Sequence, residues 1–325
     1  MSFMYNPFPF DDPRPVNRPE LSEKTVKSII SGGNQNVVKK FVATLADRAA
    51  KEGVVVALDG YTTANWTVFV NLIARECCLL GLGFEAIDAN AATLKSGKEI
   101  DAIIDPLLIW DTKIDPTLLY GKVYKGGYQG LMDEARTEAF KKAVPASRQA
   151  GKISVVYGYG SLIPELRELY DVKVFFDLTP MKSMLRIRRG EYSNLGKERP
   201  GIINRTIRRC YYCDFECAVR NRHELWENNV PDWYVLDNDP QNLQLMPFGT
   251  FSDICAQLVK YPFRAKPCYL EGVWGGSYMK KLRNLPDEMR NAAWFFDFIP
   301  MEVSVLVQAG DHLLDFNLDE DGYYE

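Results

Sequence analysis

The chain has 325 residues, of which 46% are hydrophobic and 25% charged, with a formal net charge of −4 at pH 7. A weakly acidic balance argues against a general nucleic-acid binder, which normally has a basic surplus. No apolar run approaches the ~18 residues that a transmembrane helix needs, and residues 1–19 lack the basic-then-apolar pattern of a secretion signal. We therefore predict a cytoplasmic protein without nucleic-acid or membrane partners.

The apolar pattern predicts strands that alternate with helices. After an N-terminal tail, helical periodicity covers residues 21–51 and is broken at Gly32 and Gly33. Strands are predicted at residues 54–58, 84–88, 153–157, 172–178 and 233–236. Helices are predicted at residues 68–80, 96–104, 131–144, 163–170, 181–189 and 206–228. This alternation predicts an α/β fold, a parallel sheet with helices on both faces.

The chain is predicted to have three regions. Residues 1–20 form a tail, residues 21–262 the α/β domain, and residues 263–325 a small β-rich segment with strands at 303–307 and 311–316. A segment of roughly sixty residues makes a thin core on its own. We therefore expect the C-terminal segment to pack against the first domain.

A glycine-led turn follows the first strand of the predicted sheet. Ligands of parallel sheets bind at the carboxyl ends of the strands, and such a turn can hold phosphate on backbone N–H groups at a helix N-terminus. A phosphate-binding loop needs Gly, four residues, and then Gly-Lys-Ser/Thr. The predicted phosphate-binding residues are Gly60, Tyr61, Thr62, Thr63, Ala64, Asn65, Trp66 and Thr67. Asn65 replaces the second glycine and Trp66 the lysine that neutralises phosphoryl charge, so the turn is poorly equipped to transfer a phosphate.

The densest basic stretch follows the predicted strand at 172–178. Arginine binds phosphate well because its planar guanidinium donates two parallel hydrogen bonds. This location is where a segment that closes over a phosphate is expected, although a solvated helix face is the alternative. We predict that a phosphate lies between the Gly60 turn and one or more of Arg186, Arg188, Arg189 and Arg199.

Two acids are candidates for accepting a proton from a substrate hydroxyl. Asp59 immediately precedes the Gly60 turn, and Asp111 lies in the irregular, glycine-rich connection at residues 105–130. Long connections of this kind often carry function. Solvated loop acids are the alternative interpretation.

The cysteine content does not predict a metal site. The seven cysteines are scattered and odd in number, which is typical of reduced thiols. Cys210, Cys213, Cys217 and His223 have a spacing that could supply ligands, but the three cysteines share one face of a predicted helix. Zinc sites usually place paired ligands on turns, and free cysteine is often buried. We predict packed thiols and no zinc.

Five short stretches of the α/β domain carry a family resemblance: residues 58–61, 155–158, 175–177, 188–190 and 232–235. Through them, residues from about 53 to 240 resemble the uridine kinase and phosphoribulokinase-like branch of P-loop kinases. The resemblance implies ATP and magnesium as cofactors, with Thr67 near the magnesium. The chain departs from the family at Trp66 and at Tyr157, which stands where an acid usually helps to organise magnesium.

A second resemblance concerns the C-terminal segment. Residues 266–267, 273–276, 281–282 and 293–294 resemble the opening of a type I mannose-6-phosphate isomerase, a cupin whose zinc is held by two histidines, a glutamate and a glutamine. His312 is the one histidine after residue 223. No zinc-ligand set can therefore be transferred to this sequence.

Three functions stay open. The preferred one is a kinase-like protein that binds a nucleotide or phosphorylated sugar without transferring phosphate, in carbohydrate or nucleotide metabolism. The others are an active ATP-dependent nucleoside or sugar kinase and an isomerase-related protein. The sequence also leaves open whether the protein forms a homo-oligomer. Trp66 discriminates between the first two, because a buried indole would fill the phosphate space whereas an exposed one could stack on a base or sugar.

Overall fold

The structure, a computed structural model, describes residues 16–115, 120–264 and 304–318. The strands are β1 (Val16–Asn17), β2 (Val54–Gly60), β3 (Gly83–Asp88), β4 (Lys152–Tyr157), β5 (Val172–Asp177), β6 (Trp233–Leu236), β7 (Gln244–Pro247), β8 (Ser304–Ala309) and β9 (His312–Asn317). The α-helices are α1 (Glu23–Lys27), α2 (Asn34–Glu52), α3 (Thr67–Leu79), α4 (Ala89–Thr93), α5 (Gly97–Ile104), α6 (Glu134–Ala146), α7 (Pro180–Arg188), α8 (Ile203–Arg209), α9 (Phe215–Glu227) and α10 (Phe248–Leu258).

The central sheet has six strands in the order β3-β4-β2-β5-β6-β7. Adjacent strands in this sheet are parallel, except that β7 is antiparallel to β6. Every residue of β2 is buried, which requires that both faces of the sheet be covered at this strand, as its continuous apolar run predicts. The predicted α/β fold with a helix-flanked parallel sheet is confirmed, and β2 lies in its interior.

Helix α2 shows how the sequence pattern builds this core. Its buried positions include Val37, Val38, Phe41 and Leu45, a spacing that places them on one helical face. Phe41 contacts Phe69 of α3, with 5.5 Å between ring centroids. No helix in the described part of the chain is long and apolar enough to cross a membrane.

Two predicted helices differ from the structure, and some observed elements were not predicted. The helix predicted at 163–170 is a series of turns with a short 3-10 helix at Arg167–Leu169, because Gly160 has a positive φ of 75° and Pro164 lacks a backbone donor. The helix predicted at 206–228 is interrupted by a π-helical turn, Cys210–Asp214. Strand β7 and helix α10 were not predicted.

The C-terminal hairpin β8–β9 packs on the α/β domain, as expected. Strand β8 pairs with β9 and, in parallel, with β1. Phe316 of the hairpin lies 5.2 Å from Phe251 between ring centroids, and Phe251 stacks on Tyr234 at 4.3 Å. The Asn317 amide also donates to the buried Asp177 carboxylate at 3.1 Å. The stretches that resemble the isomerase, between residues 266 and 294, lie outside the described residues.

Candidate functional site

A cleft of about 500 Å³ opens at the carboxyl ends of β2, β3 and β4. Its lining includes residues 63–67 of the Gly60 turn, Asp88 and Asn90 after β3, and residues 157–159 at the end of β4. The carboxyl ends of parallel strands are where α/β proteins bind their ligands, and this volume is within the range of small-molecule sites. The cleft is therefore the candidate functional site.

The backbone donors of the Gly60 turn are largely committed within the protein. Tyr61 N donates to the Phe176 carbonyl and Ala64 N to the Tyr61 carbonyl, each at 2.9 Å. Three more N–H groups of the turn donate to side-chain oxygens: Gly60 N to Asp59 Oδ1 at 2.7 Å, Asn65 N to Asp237 Oδ2 at 2.9 Å and Thr67 N to Asn65 Oδ1 at 3.0 Å. A phosphate-binding loop needs such N–H groups free to face the anion. Five of the eight backbone N–H groups of residues 60–67 are thus already used within the protein.

Gly60 is required by packing at the start of the turn. A Cβ atom at this position would lie 2.6 Å from the Ala64 Cβ and 2.8 Å from the Phe176 carbonyl oxygen. The turn then passes through Thr63, whose φ of 73° is in the left-handed region, a conformation that is uncommon for residues other than glycine. Gly60 therefore allows the turn to lie tightly against β5.

Trp66 is 6% exposed and fills the position at which the phosphate-binding lysine is expected. Its indole meets Tyr159 edge-on at 4.8 Å and lies parallel to Phe176 at 6.5 Å, between ring centroids. The indole Nε1 is buried and has no hydrogen-bond partner among the described residues. Of the two alternatives for Trp66, the structure therefore shows the buried indole.

Arg186 lines the cleft, but its guanidinium is committed to other protein groups. Its side chain is 4% exposed and forms an ion pair with the fully buried Asp237. Arg186 Nη1 donates to Asp237 Oδ2 at 2.7 Å and to the Thr63 carbonyl at 2.8 Å. Burial raises the pKa of Asp237, and its hydrogen bonds with Arg186 oppose that rise. The pair holds the turn, since Asp237 also accepts the Asn65 N–H.

The other predicted arginines are not among the described residues that line the cleft, although Arg189 pairs with a lining residue, Glu191. Arg189 is exposed and pairs with Glu191, 2.5 Å from Nε to Oε1. Arg188 is half-buried and Arg199 is exposed. The structure therefore does not bring these arginines and the Gly60 turn together around one anion-sized space.

The two predicted proton acceptors are also placed outside the cleft lining. Asp59 is fully buried, and its carboxylate accepts hydrogen bonds from Gly60 N, Gly160 N, Leu162 N and the Asn221 amide. Burial raises the pKa of Asp59 to about 6. Asp111 is exposed and caps its own turn by accepting the Lys113 N–H at 2.8 Å. Here Asp59 joins β2 to the segment after β4, and Asp111 shapes a surface loop.

Thr63, Asn65, Thr67 and Arg186 of the cleft lining were among the predicted site residues, whereas the polar residues Asp88 and Asn90 were missed from the sequence. Asp88 ends β3 and lies in register beside Tyr157 of β4. Asn90 bonds the Tyr159 backbone on both sides, accepting from its N–H and donating to its carbonyl, each at 2.8 Å. Since the strands at 84–88 and 153–157 were predicted, their last residues were the signal that could have found this site.

Aromatic side chains form much of the cleft wall: Trp66, Tyr157, Tyr159 and Tyr192. Tyr192 donates its hydroxyl to Asp214 at 3.0 Å, and Tyr159 donates to the Ala64 carbonyl at 3.3 Å. Burial, and then the charge of Asp88, raises the pKa of Tyr157. Because the hydroxyls of Tyr159 and Tyr192 donate to protein acceptors, these two residues offer a ligand the surfaces of their rings.

The cysteines are placed as a packed cluster. Cys210, Cys213 and Cys217 are buried, and burial followed by the charge of Asp214 raises the pKa of Cys210. His223 is turned to the exposed side of α9, where Nε2 lies 3.0 Å from Glu227 Oε1. No group of three or more possible metal ligands occurs in residues 16–115, 120–264 and 304–318. The absence of zinc stays a prediction.

The residues at the turn do not fit the magnesium–ATP site that the kinase resemblance implies. The cation that would face the transferred phosphate is replaced by the buried Trp66, and Tyr157 stands in place of the metal-organising acid. Magnesium prefers oxygen ligands, especially carboxylates and phosphate oxygens. The carboxylates in the cleft lining, Asp88 and Glu191, are not at the positions that the resemblance predicts.

These features define an α/β protein with a strand–turn–helix unit beside a cleft at the carboxyl edge of its sheet. The chain belongs to the family described as "Domain of unknown function (DUF8485)", whose model matches residues 38–260. No curated protein matches the chain.

Two solved structures are similar to the chain in part. One is described as a fructose transport system kinase from Silicibacter sp. TM1040, at 14% identity and a TM-score of 0.40, covering 58% of this chain and 94% of that one. The other is phosphoribulokinase from Rhodobacter spheroides, at 11% identity and a TM-score of 0.35, covering 56% and 69%.

Proposed function

We propose that this protein binds a nucleotide-like or sugar-like small molecule in the cleft and does not transfer phosphoryl groups. The observation that carries the proposal is the burial of Trp66 at the position of the phosphate-binding lysine. A nucleoside or sugar moiety fits the aromatic wall, because aromatic side chains offer both stacking surface and polar edges. A phosphate bound in the usual way would contact the Trp66 indole and a turn in which most backbone N–H groups already donate to protein acceptors.

Phosphoryl transfer depends on positioning and on charges that stabilise the transition state. Removing one well-placed electrostatic contact typically lowers turnover ~10²–10³-fold. In this turn the lysine and the metal-organising acid are both absent from their expected positions, and Arg186, which could have substituted for the lysine, is paired with Asp237. The geometry therefore supports binding over catalysis.

The test combines binding and turnover. Thermal shift and equilibrium dialysis with uridine, ATP, ADP, GTP and mannose 6-phosphate should reveal ligands, because a ligand specific for the folded state raises its stability. The same mixtures with ATP and magnesium should show turnover at background. Robust phosphate transfer by the unchanged protein would refute the proposal and favour the active kinase. Absence of binding by every compound would refute the cleft as a site for these classes.

An isomerase function has no support among the described residues. His312 lies in the C-terminal hairpin, where its Nδ1 is 3.1 Å from the Ser31 hydroxyl. The other stretches of that resemblance lie outside the described residues. We therefore do not propose it.

A further inference from the structure

We propose that the cleft selects a ligand with a positively charged amino group, which Asp88 and the aromatic wall hold together. The inference rests on the proposed function and names the chemical class of its ligand. It departs from the sequence-based expectation that the site recognises an anion.

Among the described residues, the charged side chains of the cleft lining are Arg186, Glu191 and Asp88. Arg186 is neutralised by Asp237, and Glu191 is paired with Arg189. Asp88 forms no salt bridge with any described residue, and its one hydrogen bond uses Oδ1, which accepts the Ala91 N–H at 2.8 Å. Its carboxylate is exposed. The uncompensated charge facing the cleft is therefore negative.

The aromatic wall adds to this preference. The faces of Trp and Tyr rings are electronegative and attract ammonium groups that lie within about 6 Å of the ring centre. Tyr157 is the sheet neighbour of Asp88, since the two residues are register partners on adjacent strands. A cation beside Asp88 would therefore lie near an aromatic ring as well as a carboxylate.

Side chains already use part of the donor capacity of the two helix ends at the cleft. Helix α3 begins at Thr67, whose N–H is already accepted by the Asn65 side chain. The Ala91 N–H in the first turn of α4 is likewise accepted by Asp88. These caps use donors that an anion would otherwise bind, and they therefore reduce the anion-binding capacity of the two helix ends.

The experiment compares cations with neutral analogues of similar shape. Choline is paired with 3,3-dimethylbutan-1-ol, and glucosamine with glucose and N-acetylglucosamine, each titrated by calorimetry into the full-length protein. We expect the cations to bind at least about tenfold more tightly than their neutral analogues, as for a hydrogen bond or ion pair to a charged group. An excess of inorganic phosphate at constant ionic strength should not displace them.

The variant Asp88→Asn should remove most of this preference. Asparagine caps helices as well as aspartate does, so α4 keeps its cap while the cleft loses its charge. We expect about tenfold weaker binding of choline or glucosamine with little change for neutral ligands. The control is Asp111→Asn, which removes the same charge from an exposed loop outside the cleft lining and should leave binding unchanged.

The outcomes separate this inference from the proposed function. Neutral sugars or nucleosides that bind as well as the cations would overturn the inference and leave the proposed function intact. Cation binding that survives Asp88→Asn in a folded protein would also overturn it. If neither the cations nor the compounds of the binding screen bind, both proposals fail.

Discussion

The guanidinium of Arg186 and the carboxylate of Asp237 form a two-point contact at the cleft, with Nη1–Oδ2 at 2.7 Å and Nη2–Oδ1 at 3.0 Å. Both side chains are almost fully buried, and both also bond the backbone of the Gly60 turn. A buried charge whose partner is removed loses its compensation, which makes such pairs costly to break.

We predict that Arg186→Ala lowers the free energy of unfolding by ~3–5 kcal/mol, since it leaves Asp237 buried and unpaired. The double variant Arg186→Met, Asp237→Asn should recover part of the loss, because no net charge stays buried and asparagine can still accept the Asn65 N–H. Urea unfolding measures both. A loss below ~1 kcal/mol for Arg186→Ala would show that the pair does not hold the turn.

Restoring the phosphate-loop lysine is expected to harm the protein. Trp66→Lys removes an indole that packs on Tyr159 and Phe176 and places an ammonium in that space. Loss of a buried tryptophan typically costs ~3–5 kcal/mol, and the buried charge adds to it. Trp66→Phe is the control; it keeps an aromatic ring, deletes an unpaired N–H and should cost much less. Thermal and urea unfolding would refute this prediction if Trp66→Lys were as stable as the parent.

Stability should depend on pH through Asp59. Burial raises its folded pKa to about 6 from an ordinary value of 3.8, so between these values the folded state binds more protons than the unfolded state. Its contribution is therefore fully present below about pH 4 and is lost as the pH rises through 6.

The non-titrating variant Asp59→Asn isolates this contribution. Relative to the variant, the parent should lose ~3 kcal/mol between pH 4 and pH 7, from a shift of about two pKa units. Urea unfolding at four pH values measures the difference. A difference between the two proteins that does not vary with pH would show that the carboxylate of Asp59 titrates normally.

The cysteine cluster should be free of metal. Elemental analysis is expected to find no stoichiometric zinc, because Cys210, Cys213 and Cys217 are packed and His223 is turned away from them. Cys213→Ala should therefore change stability only by a modest packing loss of about 1 kcal/mol. One equivalent of zinc that disappears in Cys213→Ala would contradict the prediction.

The sequence predicted the fold well because the spacing of apolar residues reflects which faces of the helices and strands are buried. Residues 54–58 of strand β2 are all apolar since both faces of the strand are covered, and the neighbouring strands were predicted from the same pattern. The site was harder to predict, because whether an arginine faces a ligand depends on a distant partner. The sequence around Arg186 does not indicate that Asp237 is its partner. The two residues come together because β5 and β6 are adjacent strands. Asp88 and Tyr157 likewise come together only because β3 and β4 are adjacent strands.

The small sheet β1-β8-β9 has a consequence for the order in which the chain acquires its structure. Val16 of β1 is in register with Leu306 of β8, so this sheet closes a loop of nearly the whole chain. During synthesis, β1 must wait without its partner until the hairpin has left the ribosome, and closing so long a loop is a slow step. Until then Tyr234 and Phe251 lack the cover of Phe316, and the nascent chain exposes this aromatic surface to solvent.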